Sequence, residues 1–137
     1  MHYRLLPSEL KPLVDKFYRQ QRAHMRASAG AQYWVAQEGE IVAALNLNPL
    51  PEGYWLTALL VAHARRQQGL ATGLVQAALA QQQQPAWLFC QPQLCDFYQR
   101  LGFTPANALP PALGQRLARY RQSKDLLAMH RLTQPSS

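Results

Sequence analysis

The residues whose types and order could do chemistry are Arg65-Arg66-Gln67-Gln68-Gly69-Leu70-Ala71-Thr72, set between the apolar run Tyr54–Val61 and a helical pattern. A strand that feeds a loop at a helix N-terminus makes an anion site. The first backbone N–H groups have no partner within the helix, and the macrodipole adds roughly half a positive charge there. Gly69 lacks the Cβ that would hold a phosphate away from the backbone. Ala71 and Thr72 are small enough to leave the first turn open. Arg65 and Arg66 are the only Lys or Arg between residues 27 and 99. The ligand this suggests is a pyrophosphate. No Gly-Lys-Ser/Thr element makes it a P-loop, and no G-x-G-x-x-G makes it a dinucleotide fingerprint. An ordinary helix start with one Gly and two exposed arginines would use the same residues.

The elements that must position this loop follow from periodicity. His2–Leu6 reads as a strand closed by Pro7. Ser8 can cap a helix whose stripe is Leu10, Leu13, Val14, Phe17 and Tyr18, continued by the polar segment Arg19–Arg26. Gln32–Ala36 and Ile41–Leu47 are β-rich runs around Gln37-Glu38-Gly39-Glu40, a hairpin signal. Asn48–Gly53 is a second connection, and Tyr54–Val61 is the strand that enters the loop. Leu70–Gln82 carries a helical apolar face, and Ala86–Cys90 is another strand. Leu94, Phe97, Tyr98 and Leu101 form the stripe of a short helix ended by Gly102. A short helix after Pro110-Pro111 and a strand over Leu126–His130 complete the chain. The order predicts one domain over residues 1–137, a mixed α/β sheet with helices on its faces.

Composition narrows the function classes. The 137 residues carry 14 Lys+Arg against 7 Asp+Glu, a formal charge of +7. Such a balance attracts polyanions, but no zinc finger, aromatic RNA-binding signature or basic zipper accompanies it, so nucleic acid is not expected as a partner. Cys90 and Cys95 cannot form a disulfide framework, and no Cys/His cluster has metal-site spacing. No apolar run approaches the ~18 residues of a membrane span, and no basic stretch precedes an apolar one, so a cytoplasmic protein is expected.

Two blocks resemble a known family. Arg66-Gln67-Gln68-Gly69-Leu70-Ala71 matches the [Q/R]-x-x-G-x-[G/A] motif of the GNAT superfamily of acyl-CoA-dependent N-acetyltransferases, and Leu59-Leu60-Val61 resembles the end of that family's fourth strand. Downstream, Phe97-Tyr98-Gln99-Arg100-Leu101-Gly102-Phe103 is similar to its F-Y-x-x-L-G-F segment. The spacing between the blocks, one helix and one strand, fits as well. The resemblance implies a mostly antiparallel α/β (α+β) sheet whose fourth and fifth strands splay around acetyl-CoA. Backbone groups of Leu59 and Val61 would then pair the pantetheine arm, as an added strand would. A backbone N–H of Leu60 or Val61 would face the oxyanion. The N–H groups from Arg66 through Gln67, Gln68, Gly69, Leu70 and Ala71 to Thr72 would hold the pyrophosphate. Tyr98 would be the general acid that protonates the leaving thiolate. Its stripe position would equally suit a plain core residue.

Gln91 stands where many members have an Asn that contacts the cofactor or caps the helix. The fourth strand carries no carboxylate to act as base, and Glu52 and His63 are the nearby alternatives. Trp34, Trp55, Trp87, Cys90 and His130 read as structural residues, although one of the tryptophans could line an acceptor pocket, and Tyr33 and Asn46 could reach an acceptor site. The resemblance implies acetyl transfer to a primary amine of a small molecule or protein by direct attack, in a monomer or homodimer. An acyl-CoA-binding regulatory module is the alternative that the absent carboxylate motivates.

Overall fold

The computed structural model describes residues 1–132. In chain order the strands and helices are β1 (His2–Leu6), α1 (Lys11–Gln20), β2 (Gln32–Glu38), β3 (Glu40–Leu50), β4 (Gly53–Val61), α2 (Leu70–Ala80), β5 (Ala86–Cys90), α3 (Cys95–Arg100), β6 (Thr104–Pro105), α4 (Pro111–Tyr120) and β7 (Leu127–Arg131). The seven strands form one sheet in the order β1-β2-β3-β4-β5-β7-β6. Every neighbouring pair is antiparallel except β4 and β5, which run parallel. A parallel pair needs a crossover, and α2 supplies it.

Two apolar layers sandwich the sheet. On one face Leu70, Leu74, Val75 and Ala78 of α2 and Tyr98 of α3 pack with Leu45, Leu47, Leu56 and Leu88. On the other, Val14, Phe17 and Tyr18 of α1 pack with Leu6, Val35 and Ala44. Helices therefore cover both faces, as expected. None of them is long and apolar enough to cross a membrane among the described residues.

The feature that shapes the site is the failure of β4 and β5 to stay together. They are in register only at Tyr54–Ala86 and Trp55–Trp87, then diverge. Gly53 makes the apex close, because a Cβ there would run into the carbonyl oxygen of Pro85. That oxygen instead accepts the Tyr54 N–H at 2.9 Å.

Four local expectations are corrected. Helix α1 begins at Lys11 rather than after Ser8, which opens a single 3-10 turn and caps nothing. It stops at Gln20 rather than continuing to Arg26, because Arg22 adopts a left-handed φ of 54°. Its buried stripe is Val14, Phe17 and Tyr18, while Leu10 and Leu13 face solvent. Strand β3 outlasts the expected Leu47, since Asn48, Pro49 and Leu50 pair with Trp55, Tyr54 and Gly53 and leave only Pro51–Glu52 as the turn.

Candidate active site

Strand β4 changes character halfway. Its register against β3 shifts between the pairs Asn46–Thr57 and Ala44–Leu60, so Leu45 faces two residues, Ala58 and Leu59. Ala58 takes the left-handed conformation this bulge demands, at φ 58°, which costs a residue with a Cβ about 1–2 kcal/mol. Tyr18 from α1 offsets the cost by donating its hydroxyl to the Ala58 carbonyl at 2.7 Å. Burial, with Asp15 adding to it, pushes the Tyr18 phenol far above its ordinary range, so it stays a donor. Past the bulge, Leu59 to Val61 have β3 on one side and no strand on the other. That free edge presents backbone N–H and C=O groups to the gap, where the Val61 carbonyl accepts from Arg66 Nε.

The edge opens on a groove of about 400 Å³ lined by Leu59, Leu60, Val61, Arg65, Arg66, Gln67, Gly69, Leu70, Ala71, Thr72, Leu94, Phe97 and Tyr98. At its far end lies the loop before α2. Gln67 and Gly69 both adopt left-handed φ values, 63° and 77°, a turn geometry that gathers successive N–H groups into an anion-binding concavity. No side chain caps α2, and its first internal bond is Gly73 N–H to Gly69 at 3.0 Å. The N–H groups of Leu70, Ala71 and Thr72 are thus left for a ligand. Space over Gly69 is open, with no atom within 4 Å of where a Cβ would stand. Arg65 is held in place rather than free: its guanidinium reaches Gln68 Oε1 at 3.0 Å and Glu38 Oε1 at 3.2 Å. Arg66 Nε lies 3.4 Å from the Val61 carbonyl.

Tyr98 closes the other wall. It is 6% exposed and packs edge-on against Phe97 and Phe103, at 5.0 and 5.8 Å between ring centroids. Burial, aided by neighbouring Cys90, raises its pKa to about 12. The phenol is therefore protonated at neutral pH and is fit to give a proton rather than take one. Cys90 is buried too, 3.6 Å from the sulfur of Met129. Burial and Cys95 raise its pKa to about 11, which makes it an inert thiol.

The groove thus unites nearly all the residues expected at the cofactor, but not Gln91 or Gln68. The Gln91 amide accepts from Gln93 at 2.8 Å and lies in a separate depression with Ser123, Lys124 and Asp125. The Gln68 side chain is spent on Arg65. Tyr33 and Asn46, considered for an acceptor site, are instead anchors for residues 21–31. Tyr33 donates to the Ser28 carbonyl at 2.6 Å, and fully buried Asn46 donates to the Arg26 carbonyl at 2.9 Å. Asp15 ties the same loop through the Ala27 N–H at 2.8 Å. Burial alone would raise the Asp15 pKa, but that bond and Lys11 outweigh it and hold it below its ordinary value. Neither of the two nearby candidates for a base lines the groove: Glu52 sits in the β3–β4 turn, and His63 is bound to Gln21 at the end of α1. No group of metal-binding side chains occurs among the described residues. The residues missed were Leu94 and Phe97 as groove lining. The stripe Leu94/Phe97 has core spacing, and only the 43% exposure of Leu94 distinguishes it from core.

An uncapped helix start and open Gly69 suit a pyrophosphate. An apolar gap beside a free strand edge suits a thin chain carrying amides. The donor set therefore fits coenzyme A.

The sequence profile of the GNAT acetyltransferase domain matches residues 29–105. None of the curated proteins matches the chain in sequence. Among solved structures, the ribosomal-protein-S18-alanine N-acetyltransferase from Escherichia coli is 15% identical with a TM-score of 0.71, over 99% of this chain and 96% of that one. Tetrahymena GCN5 is 12% identical with a TM-score of 0.71, over 100% and 99%. An aminoglycoside 6'-N-acetyltransferase complexed with coenzyme A is 15% identical with a TM-score of 0.66, over 100% and 99%. At such identities the likeness is one of fold, and it includes the parallel β4–β5 pair around which the groove is built. The chain belongs to the GNAT acetyltransferase family.

Proposed function

We propose that the protein transfers an acetyl group from acetyl-CoA to a primary amine by direct attack, with Tyr98 as general acid. The observation that carries the reading is one continuous groove, with free helix N–H groups at one end and, in its wall, a protonated tyrosine whose hydroxyl makes no hydrogen bond among the described residues. When bound, acetyl-CoA supplies an acetyl group activated as a thioester. The N–H groups of Leu70, Ala71 and Thr72 hold the pyrophosphate. The free edge from Leu59 to Val61 pairs with the amide-bearing arm, and an N–H of Leu60 or Val61 stabilises charge gathering on the carbonyl oxygen. The acceptor's neutral amine attacks that carbonyl, and Tyr98 delivers its proton to the departing sulfur. The groove offers no carboxylate or imidazole as a base, so the amine arrives deprotonated, and the proton its nitrogen sheds after attack passes to water, from which the Tyr98 hydroxyl is restored. Action in the cytoplasm, as a monomer or homodimer, belongs to the same proposal.

The lack of a lining carboxylate also supports a second reading, a module that binds acyl-CoA without turnover. Thiol release measured across a panel of primary amines separates the two. Tyr98→Phe is expected to lower kcat by about 10²-fold or more while leaving the acetyl-CoA dissociation constant unchanged. Unaltered turnover would remove Tyr98 from the mechanism. Thiol release with none of the amines would favour the second reading.

A further inference from the structure

The donor groove lies on the α2/α3 side of the gap, so an amine must reach the same carbonyl from the opposite face, the one covered by α1 and α4. On that face the mouth of the gap is built from aromatic rings and cations. Trp55 on β4 and Phe89 on β5 bridge the point of divergence, with centroids 5.6 Å apart. Tyr120 of α4 extends the row, 6.3 Å from Phe89. The Arg116 guanidinium stands 5.1 Å over the Trp55 ring, and Lys124 Nζ stands 5.6 Å from the Tyr120 centroid. Neither cation has a carboxylate partner: the three ion pairs among the described residues join Met1 to Glu38, Lys11 to Asp15 and Arg65 to Glu38.

The polar atoms around them add donors. Thr57 lies two residues beyond Trp55 on β4, and its hydroxyl oxygen accepts from Asn48 Nδ2 at 3.0 Å. Its own hydrogen is therefore left to donate. The Tyr120 hydroxyl makes no hydrogen bond among the described residues. From residue 53 to residue 95 the chain contains no Asp or Glu. Glu52 is exposed on the adjoining turn and reaches neither cation. A guanidinium held over an indole face keeps its edge donors free for a planar carboxylate.

Resting on the acetyltransferase reading, we propose that Arg116 selects the acceptor: the substrate is a primary amine that also carries a carboxylate. The carboxylate docks on Arg116 at the α4 edge of the mouth. The aliphatic or aromatic body lies along Trp55 and Phe89, and the amine enters the gap toward the β4 bulge. Along a strand each residue advances about 3.3 Å, and the partners of Trp55 and Leu59 on β3, Asn48 and Leu45, are three residues apart, so the span is roughly 10 Å. A carboxylate several bonds from the amine spans this better than one on the adjacent carbon.

Amines of matched length and basicity test the assignment, aminohexanoate against aminohexanamide and aminobutyrate against aminobutyramide. The readout is kcat/KM by thiol release for the wild type, Arg116→Ala and Arg116→Glu. We expect the wild type to favour each carboxylate about tenfold or more, as one charge-assisted hydrogen bond gives. The ratio should fall to about one in Arg116→Ala and invert in Arg116→Glu. A wild-type preference for the amides, or a preference that survives Arg116→Ala, overturns it. Should no amine turn over, calorimetry of aminohexanoate on the coenzyme A-loaded protein decides the same question. Binding heat lost in Arg116→Ala supports the assignment, and no heat in the wild type refutes it. Failure of acetyl-CoA itself to bind would be a failure of the acetyltransferase reading, recorded separately on the same samples.

Discussion

Replacing Gly69 by Ala separates the ligand's demand on this position from the backbone's. Gly69 has φ +77°, so any side chain there costs about 1–2 kcal/mol of folding stability. Nothing within 4 Å obstructs the new methyl, so no steric penalty adds to that strain. Gly39, in the β2–β3 turn and outside the groove, has φ +74° and equally open surroundings. Gly39→Ala therefore imposes the same strain and nothing else. Both variants should lower the thermal midpoint by roughly 3–8 °C. Only Gly69→Ala adds a methyl among the N–H groups that face the pyrophosphate. Losing one charge-assisted hydrogen bond there costs about 1.5–3 kcal/mol, or roughly 10- to 150-fold in affinity. Calorimetric titration with acetyl-CoA, paired with a thermal melt of each variant, gives both numbers. Equal dissociation constants for the two variants would refute the pyrophosphate assignment, whatever the melts show.

Other expectations follow from buried phenols and the bulge. Tyr18→Phe leaves the Ala58 carbonyl without its donor, and should cost about 1–3 kcal/mol in urea unfolding; an unchanged urea midpoint and slope would show that the bulge holds itself. Because Tyr18, Tyr98 and Cys90 all have folded pKa values raised by burial, their contribution is complete below the unfolded values near 9–10. It is lost as pH climbs through the folded ones. Urea midpoints measured from pH 7 to pH 11 should therefore stay level to about pH 9 and then fall. A midpoint that rises above pH 9 would contradict the burial of these groups.

Much of the groove could be read from the chain because the pattern and the chemistry coincide there. Gly69 is both the left-handed residue before α2 and the start of the anion site, so one letter carries both signals. Strand–loop–helix order was legible for the same reason, since β4, α2 and β5 each have clean apolar periods. Legibility ended where one pattern serves two environments. Leu94 and Phe97 share the spacing of a core stripe, yet they face the groove. Asn46 looks like a polar residue ready for substrate, but it is wholly buried and holds residues 21–31 in place. Gln91 has the position of a cofactor contact, and its amide is turned to Gln93 by a local hydrogen bond. Ala58 is the clearest case. Nothing in an alanine announces a left-handed backbone, because the cause is a hydroxyl forty residues earlier in the chain.

The bulge at Ala58 also changes the counting rule of the strand. Before it, even-numbered Tyr54 and Leu56 belong to the apolar layer under α2 and α3. After it, odd-numbered Leu59 and Val61 do, while Leu60 joins Ala58 in the layer under α1. One extra residue has switched the parity of everything downstream, and the groove wall depends on that switch. The groove wall therefore depends on the extra residue staying in a bulge more than on which aliphatic side chain fills each position. Substituting one aliphatic residue for another keeps each side chain on its face. Straightening the strand with all its residues kept would turn Leu60 into the groove and put Leu59 and Val61 on the wrong side, whereas deleting Ala58 would restore regular alternation with all three on their present faces.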